Sequence, residues 1–163
     1  MRRVLALIAV VALVGAALAV PAFGDTEGTV TATVTAGVVA ISNSTSTVAY
    51  GIVDLGSADN LPTPATFTAT NDGNVDANFG IKGANTANWI LVGTTPATDE
   101  YRHEASPDAF TTTIVLTTDS QSLATSVTPT NSTTVSLRLD APASTAFDTE
   151  QFAQVIILAT ASP

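Results

Sequence analysis

The stretch "TFTATNDGNVDANFGIKG", residues 66–83, places two alternating segments on either side of a short polar sequence. Apolar residues alternate with polar ones both before and after "NDGN", which is the pattern of two half-buried β-strands. We therefore predict a β-hairpin whose four-residue loop is residues 71–74, with Gly73 supplying a positive φ. In such a hairpin Asp76 and Asn78 lie on the outward face of the second strand.

The same loop offers oxygen ligands, and a calcium site is the alternative to a plain turn. Asp72, Asn74 and Asp76 stand at alternate positions in the sequence. An EF-hand loop starting at Asp72 requires glycine at its sixth position and glutamate at its twelfth, where this chain has Ala77 and Gly83. The EF-hand is excluded, but a calcium site on the three residues stays open because loops at the ends of β folds collect carboxylates. Calcium is the one cofactor that the sequence suggests.

Alternation of this kind recurs along the chain, and no helical period of useful length accompanies it. Turn residues (Gly, Pro, Asn, Asp and Ser) separate the alternating segments. The segment "WILV" at residues 89–92 is apolar on both faces, which favours a central strand. We predict an all-β fold, a single antiparallel β-sandwich of Ig-like or jelly-roll type with eight to nine strands. The segments that predict strands are residues 29–37, 46–56, 65–70, 75–82, 89–92, 110–117, 133–140 and 150–161.

The first 24 residues have the features of an export signal. "MRR" is a short basic region, residues 4–20 are apolar, and small residues precede Phe23 and Asp25, so cleavage after Ala22 or Gly24 is expected. A retained anchor helix is the alternative, since the apolar run is near the minimum length for spanning a bilayer. The sequence predicts a signal peptide at residues 1–24, a β-sandwich domain at residues 25–163, and an extracellular or cell-surface location without a membrane span after cleavage.

The composition of the expected mature chain is strongly acidic. It keeps three cations, Lys82, Arg102 and Arg138, against 14 acids, which gives a net charge of −11. Such a surface repels phosphate backbones and anionic lipid, so nucleic acid and membrane surfaces are poor partners. The chain has no cysteine, which removes disulfides, thiolate metal sites and cysteine nucleophiles. Cations, neutral sugars and other proteins remain as ligand classes.

Catalytic chemistry has little support in the sequence. His103 is the only histidine, and period two places it on the strand face shared by Tyr101 and Ala105, where a solvent-facing or lightly packed histidine is expected. No "GxSxG" elbow is present that could pair it with a serine. Pairs of carboxylates for glycoside hydrolysis are available among the 14 acids, but nothing singles out one pair. We predict that the protein is not an enzyme.

Aromatic residues provide the second functional interpretation. A glycan site needs aromatic rings that face water in a shallow groove, and Trp89 and Tyr101 are the candidates for stacking on a sugar. Trp89 has apolar neighbours, so a core tryptophan is the alternative. If these rings are exposed, the protein is a binding module for cell-wall or environmental glycan.

The segment "TVTATVTAG" suggests an assembly element. Val30, Ala32, Val34 and Ala36 fall on one face and threonines on the other, directly after the expected cleavage site. The segment is either the first strand of its own domain or a strand donated to a neighbouring copy, in which case copies join head to tail into fibres. The expected partners are accordingly other copies of the chain or other surface proteins.

The order of these segments resembles the WxL-type cell-surface domains of Gram-positive bacteria. The likeness is carried by "VTATVTAGVVAIS", "TATNDGNVDANFGIKG", "ANWILV" and the final "VSLRLDAPASTAFDTEQFAQVIILATASP", with Trp89, Ile90 and Leu91 at the first Trp-x-Leu position. At the second position this chain has Ile156, Ile157 and Leu158, so peptidoglycan attachment is not carried over. A fainter similarity to camelysin and TasA-like matrix-fibre proteins rests on "FGDTE" and "NDGNVDANF". Both resemblances imply an exported, noncatalytic structural or adhesive β-sandwich at the cell surface.

Overall fold

A computed structural model describes residues 31–163, and this part of the chain is all-β, without a helix. The expected signal peptide and Val30 lie outside the described residues. Alternating β-branched and apolar residues build most of the longer strands, as expected for a pleated surface with one buried face. The nine strands are β1 (Ile41–Asn43), β2 (Thr66–Asn71), β3 (Ala77–Gly83), β4 (Ile90–Leu91), β5 (Glu100–Ser106), β6 (Ile114–Val115), β7 (Gln121–Val127), β8 (Ser132–Asp140) and β9 (Val155–Ala161).

The strands form two sheets. The larger sheet has the order β1-β2-β8-β5-β4, with β6 also paired to β5, and the smaller sheet has the order β7-β3-β9. All pairs are antiparallel except β4 with β5, which run parallel. Consecutive strands therefore often lie in different sheets, and most pairings join distant parts of the sequence.

Both sheets contribute side chains to one hydrophobic core. Phe67 and Leu137 come from the larger sheet, while Phe79 and Ile81 come from β3 at the centre of the smaller sheet. A second, smaller cluster surrounds Tyr101. Burial of such side chains contributes roughly 1.5–3 kcal/mol each, and it is the main term available to a chain without disulfides.

The predicted hairpin at residues 66–83 is wrong, although both of its strands exist. β2 pairs with β1 and β8, whereas β3 pairs with β7 and β9 in the other sheet. Residues 72–76 are therefore a crossover between sheets. Gly73 has no positive φ; it is needed because a Cβ there would overlap the carbonyl oxygen of Val38.

Other predicted strands differ in position or extent. Residues 46–56 form no strand and contribute one isolated bridge, from Ala49 to Thr63. "WILV" gives the two-residue strand β4 at the end of the larger sheet instead of a central strand. β7 was not expected from alternation, and β5 was expected only around His103, because charged or small polar residues occupy much of their length.

The chain divides spatially between Thr35 and Ala36, and residues 36–163 form one compact unit with its own core. Residues 31–35 belong to the preceding unit and lie in no strand. Within residues 31–163 no helix is long and apolar enough to cross a membrane.

Candidate assembly and binding sites

The segment predicted to take part in assembly is exposed wherever the structure describes it. Ala32, Val34 and Ala36 all face solvent outside any strand, and the side chain of Val34 is 96% exposed. The expectation that residues 29–37 form the first strand of their own domain is therefore wrong for residues 31–37. Among residues 31–163, no apolar surface covers Ala32, Val34 and Ala36.

The compact unit begins where this exposed segment ends. The side-chain amide of Asn74 binds the backbone where the compact unit begins. Its Nδ2 donates to the carbonyl oxygen of Ala36 (2.9 Å), and its Oδ1 accepts from the backbone N–H of Val38 (2.6 Å). The backbone N–H groups of Asp72 and Asn74 donate to Ala40 and Val38 (both 3.0 Å). These bonds extend the β1–β2 pairing to the residues that precede β1 and fix the chain from Ala36 onward.

Asn71 organises the crossover from inside the protein. Its side chain is fully buried, and Nδ2 donates to the carbonyl oxygens of Val75 and Val127, both at 2.8 Å. Its Oδ1 accepts from the backbone N–H of Gly73 at 2.9 Å. One amide thus satisfies three backbone groups and joins the end of β2 to the start of β3 and the end of β7.

The crossover does not bring the predicted calcium ligands together as a set. Asp72 and Asp76 are exposed, but both polar atoms of Asn74 are engaged with the backbone of residues 36–38. Among residues 31–163 no three His, Cys, Asp or Glu side chains lie close enough to share a metal ion. Asn74 therefore has a structural role, and the loop retains only two of its three predicted oxygen donors.

We expect the melting temperature to be the same in chelator and in millimolar calcium, because a ligand stabilises a protein only by binding its folded state. The measurement is thermal unfolding of the purified protein, with magnesium as the control for general screening of the acidic surface. A rise of several degrees that is specific to calcium and abolished by Asp72→Ala would contradict this result.

His103 lies in a buried aromatic cluster instead of on the surface. Its side chain is 1% exposed, its Nε2 is 2.7 Å from the Tyr50 hydroxyl, and its ring contacts Tyr101. Nδ1 has no hydrogen-bond partner among the described residues. Burial lowers the pKa of His103 to about 4, so the ring is neutral at pH 7. The predicted solvent-facing or lightly packed histidine is wrong, although its shared face with Tyr101 and Ala105 is confirmed.

Tyr101, one of the two residues predicted to bind glycan, belongs to the same buried aromatic cluster. Tyr101 is fully buried, and its hydroxyl donates to the carbonyl oxygen of Ala84. Burial also raises the pKa of Tyr101 to about 12. Because a sugar can stack only on an accessible ring face, the assignment of Tyr101 to a glycan site is wrong. Trp89 is half-buried, and its Nε1 donates to the Thr145 hydroxyl at 3.2 Å.

A network of ion pairs covers the outward face of the larger sheet. On adjacent strands β5 and β8, Arg102 pairs with Asp140 (2.7 Å) and Glu104 (3.3 Å), and Arg138 pairs with Glu104. Arg138 also contacts Asp59 at 3.0 Å. Glu104 and Asp140 are buried, so both carboxylates depend on these partners. The network joins two strands, and among residues 31–163 Asp59, Glu104 and Asp140 are the acidic residues that pair with an arginine.

The spacing of charged residues in the sequence indicates this network, although hydrophobic alternation does not. Arg102 and Glu104 are two residues apart, as are Arg138 and Asp140, so each pair falls on one face of its strand. Opposite charges on one face of two strands indicate cross-strand pairing. The observed register places Arg102 opposite Asp140 and Glu104 opposite Arg138.

The outward face of the smaller sheet carries an open groove of about 410 Å³. Hydroxyl and amide side chains line most of it, together with Leu158 of β9. Among the described residues, those that line the groove include no charged side chain and no exposed aromatic ring face. A scan against protein-family models and searches of curated proteins and of solved structures find no match to this chain.

Proposed function

We propose that the protein is an exported, noncatalytic structural component of a cell surface, and that its copies join through the segment at residues 30–36. In this proposal the two sheets are the layers of a single β-sandwich, and signal cleavage leaves the segment near the mature N-terminus. The observation that carries the proposal is the exposure of the segment: Val34 is 96% exposed within a strict alternation of apolar residues and threonines.

Strand addition explains that exposure in physical terms. A donated strand gains backbone hydrogen bonds along an open sheet edge, and its alternate side chains enter the core of the receiving copy. Fully burying one valine contributes roughly 1.5–3 kcal/mol. The opposite face of the segment is threonine, which is favourable in strands and tolerates solvent. The strong acidity of the expected mature chain, with three cations against 14 acids, keeps copies apart unless a specific contact forms.

We expect Val34→Lys to abolish polymerisation of the chain beginning at Asp25, while Thr33→Lys preserves it. Both residues are exposed, so neither change disturbs the fold of one copy, but only position 34 faces the core in the proposed joint. Electron microscopy and sedimentation of the two variants provide the measurement. Deletion of residues 25–35, which precede the compact unit, should give a soluble monomer with an unchanged circular dichroism spectrum.

Three outcomes would contradict the proposal at different points. A wild-type chain that stays monomeric at high concentration would remove self-assembly altogether. Fibres formed equally well by Val34→Lys would keep self-assembly but exclude this segment as the joint. If the deletion unfolds the domain, the segment belongs to its own core.

A further inference from the structure

The smaller sheet ends in a strand whose outer edge is unpaired in the described part of the chain. β9 pairs with β3 through seven consecutive residue pairs, from Ala77 with Ala161 to Gly83 with Val155, without a bulge. On its other side no strand of residues 31–163 is paired with it. A regular edge strand of seven residues exposes a row of backbone donors and acceptors that another strand can use.

The hydrophobic core is open along this edge. Val155, Ile157 and Ala159 point toward the core but are only half-buried. Their partners on β3, such as Phe79 and Ile81, are 0–1% exposed. The difference means that a further strand beside β9 would complete the burial of three apolar side chains.

The other long edge strand has features that protect it. β7 meets β3 with two irregularities in register, and Ser126 on β7 has a positive φ of 52°. Its core-facing residues Leu123 and Val127 are already buried. Bulges and twisted edges discourage further pairing. β1, at the edge of the larger sheet, is three residues long.

The residue composition of β9 also differs from that of a protected edge strand. Its sequence "VIILATA" contains no charge and no proline, the two devices that most often block edge pairing. On its outward face, Leu158 and Thr160 border the open groove. A neighbouring strand would therefore meet an apolar row on the core face and Ile156, Leu158 and Thr160 on the outward face.

We propose that the open edge of β9 receives the segment at residues 30–36 of a second copy. This inference rests on the proposed function and identifies the strand that receives the donated segment. Val30, Ala32 and Val34 of the donor extend the row formed by Val155, Ile157 and Ala159, and the donor threonines lie beside Leu158 and Thr160. The donor segment from Thr29 to Ala36 has eight residues that alternate between threonine and an apolar residue. It is therefore long enough to pair along the seven residues of β9.

The absence of native cysteine allows a direct test by disulfide trapping. Thr33→Cys on the donor is mixed with Leu158→Cys or Thr160→Cys on the acceptor, each as a single-cysteine chain beginning at Asp25. A disulfide forms only where Cβ atoms approach within about 4.5 Å. Single-cysteine chains can join only between copies, and peptide mapping of the mixed disulfide distinguishes the joint from homodimers.

Matched controls place cysteine on the competing edges, at Ser42 of β1 and Ser122 of β7, both exposed. We expect the mixed disulfide with Leu158→Cys or Thr160→Cys to exceed that with either control by at least about tenfold, because trapping requires close and persistent approach. Adding excess Val34→Lys chains without cysteine should reduce the yield, since these chains cannot donate a strand but keep an intact β9 edge that competes for the Thr33→Cys segment.

The remaining outcomes overturn the inference and separate it from the proposed function. Preferential trapping at Ser42→Cys or Ser122→Cys would show that another edge is the acceptor while strand addition itself holds. Fibres that form without trapping at any of these sites would exclude β9 and leave self-assembly by a different contact. Chains that neither trap nor polymerise would remove the proposed function together with its acceptor.

Discussion

Replacing Asn71 with alanine is expected to lower the free energy of unfolding by about 3 kcal/mol, since each buried polar group left unsatisfied costs roughly 1–3 kcal/mol. Among the residues that the structure describes, Asn71 is the one whose side chain bonds the carbonyl oxygens of Val75 and Val127 and the N–H of Gly73, and the substitution removes all three bonds. It also leaves a small cavity in a site with no solvent access. Chemical denaturation of the two proteins, with the midpoint and slope fitted together, gives the measurement.

Asn71→Asp makes this prediction more specific, because it keeps the shape of the side chain but replaces the donor with an acceptor. A carboxylate facing two carbonyl oxygens should be at least as destabilising as alanine. Asn131→Ala is the matched control: Asn131 is exposed and its amide bonds the Thr128 hydroxyl at the surface, so a change within about 0.5 kcal/mol is expected. Equal effects at Asn71 and Asn131 would show that the buried amide does not hold the crossover.

Acidification should destabilise the protein through His103. The folded-state pKa is lowered to about 4 by burial, whereas the unfolded chain binds the proton with a pKa of about 6.5. Between these two values the unfolded state carries more protons, so stability is fully present above pH 6.5 and falls as pH decreases toward 4. The loss attributable to this group is roughly 2–3 kcal/mol by pH 4.5.

The variant that isolates this effect is His103→Gln, whose amide can still bond the Tyr50 hydroxyl but does not titrate. Unfolding free energies measured from pH 7 to pH 4.5 should fall less steeply in the variant than in the wild type, whatever the difference between them at pH 7. Carboxylates contribute equally to both curves and cancel in the comparison. Parallel curves would mean that His103 takes up its proton in the folded state as easily as in the unfolded one.

Alternation predicted the strands that carry the core. β2, β3, β8 and β9 were all expected near their observed positions, because each has one buried apolar face and β-branched residues. Pairing was not predictable in the same way. The hairpin at residues 66–83 was wrong because sheet membership depends on contacts with β8 and β9, which lie far along the chain.

The candidate sites show the same division between local and long-range information. The apolar periodicity of residues 30–36 was visible in the sequence, but its exposure depends on what the rest of the chain leaves uncovered. Tyr101 and His103 were assigned the correct shared face, yet their burial follows from Tyr50, more than fifty residues earlier in the sequence. Asn74 looked like a ligand because its spacing matched the neighbouring aspartates, and only the path of residues 36–40 gives it another partner.

The crossover at residues 72–76 also sets how a line of joined copies would bear tension. The chain from Ala36 to Asn43 is fastened to β2 in the larger sheet, whereas β9 lies in the smaller sheet. If copies join as proposed, a pull transmitted from one copy to the next would enter through one sheet and leave through the other. Within each copy the force would cross the shared core, so the strength of the proposed filament would be limited by the cohesion between the two sheets as well as by the joint itself.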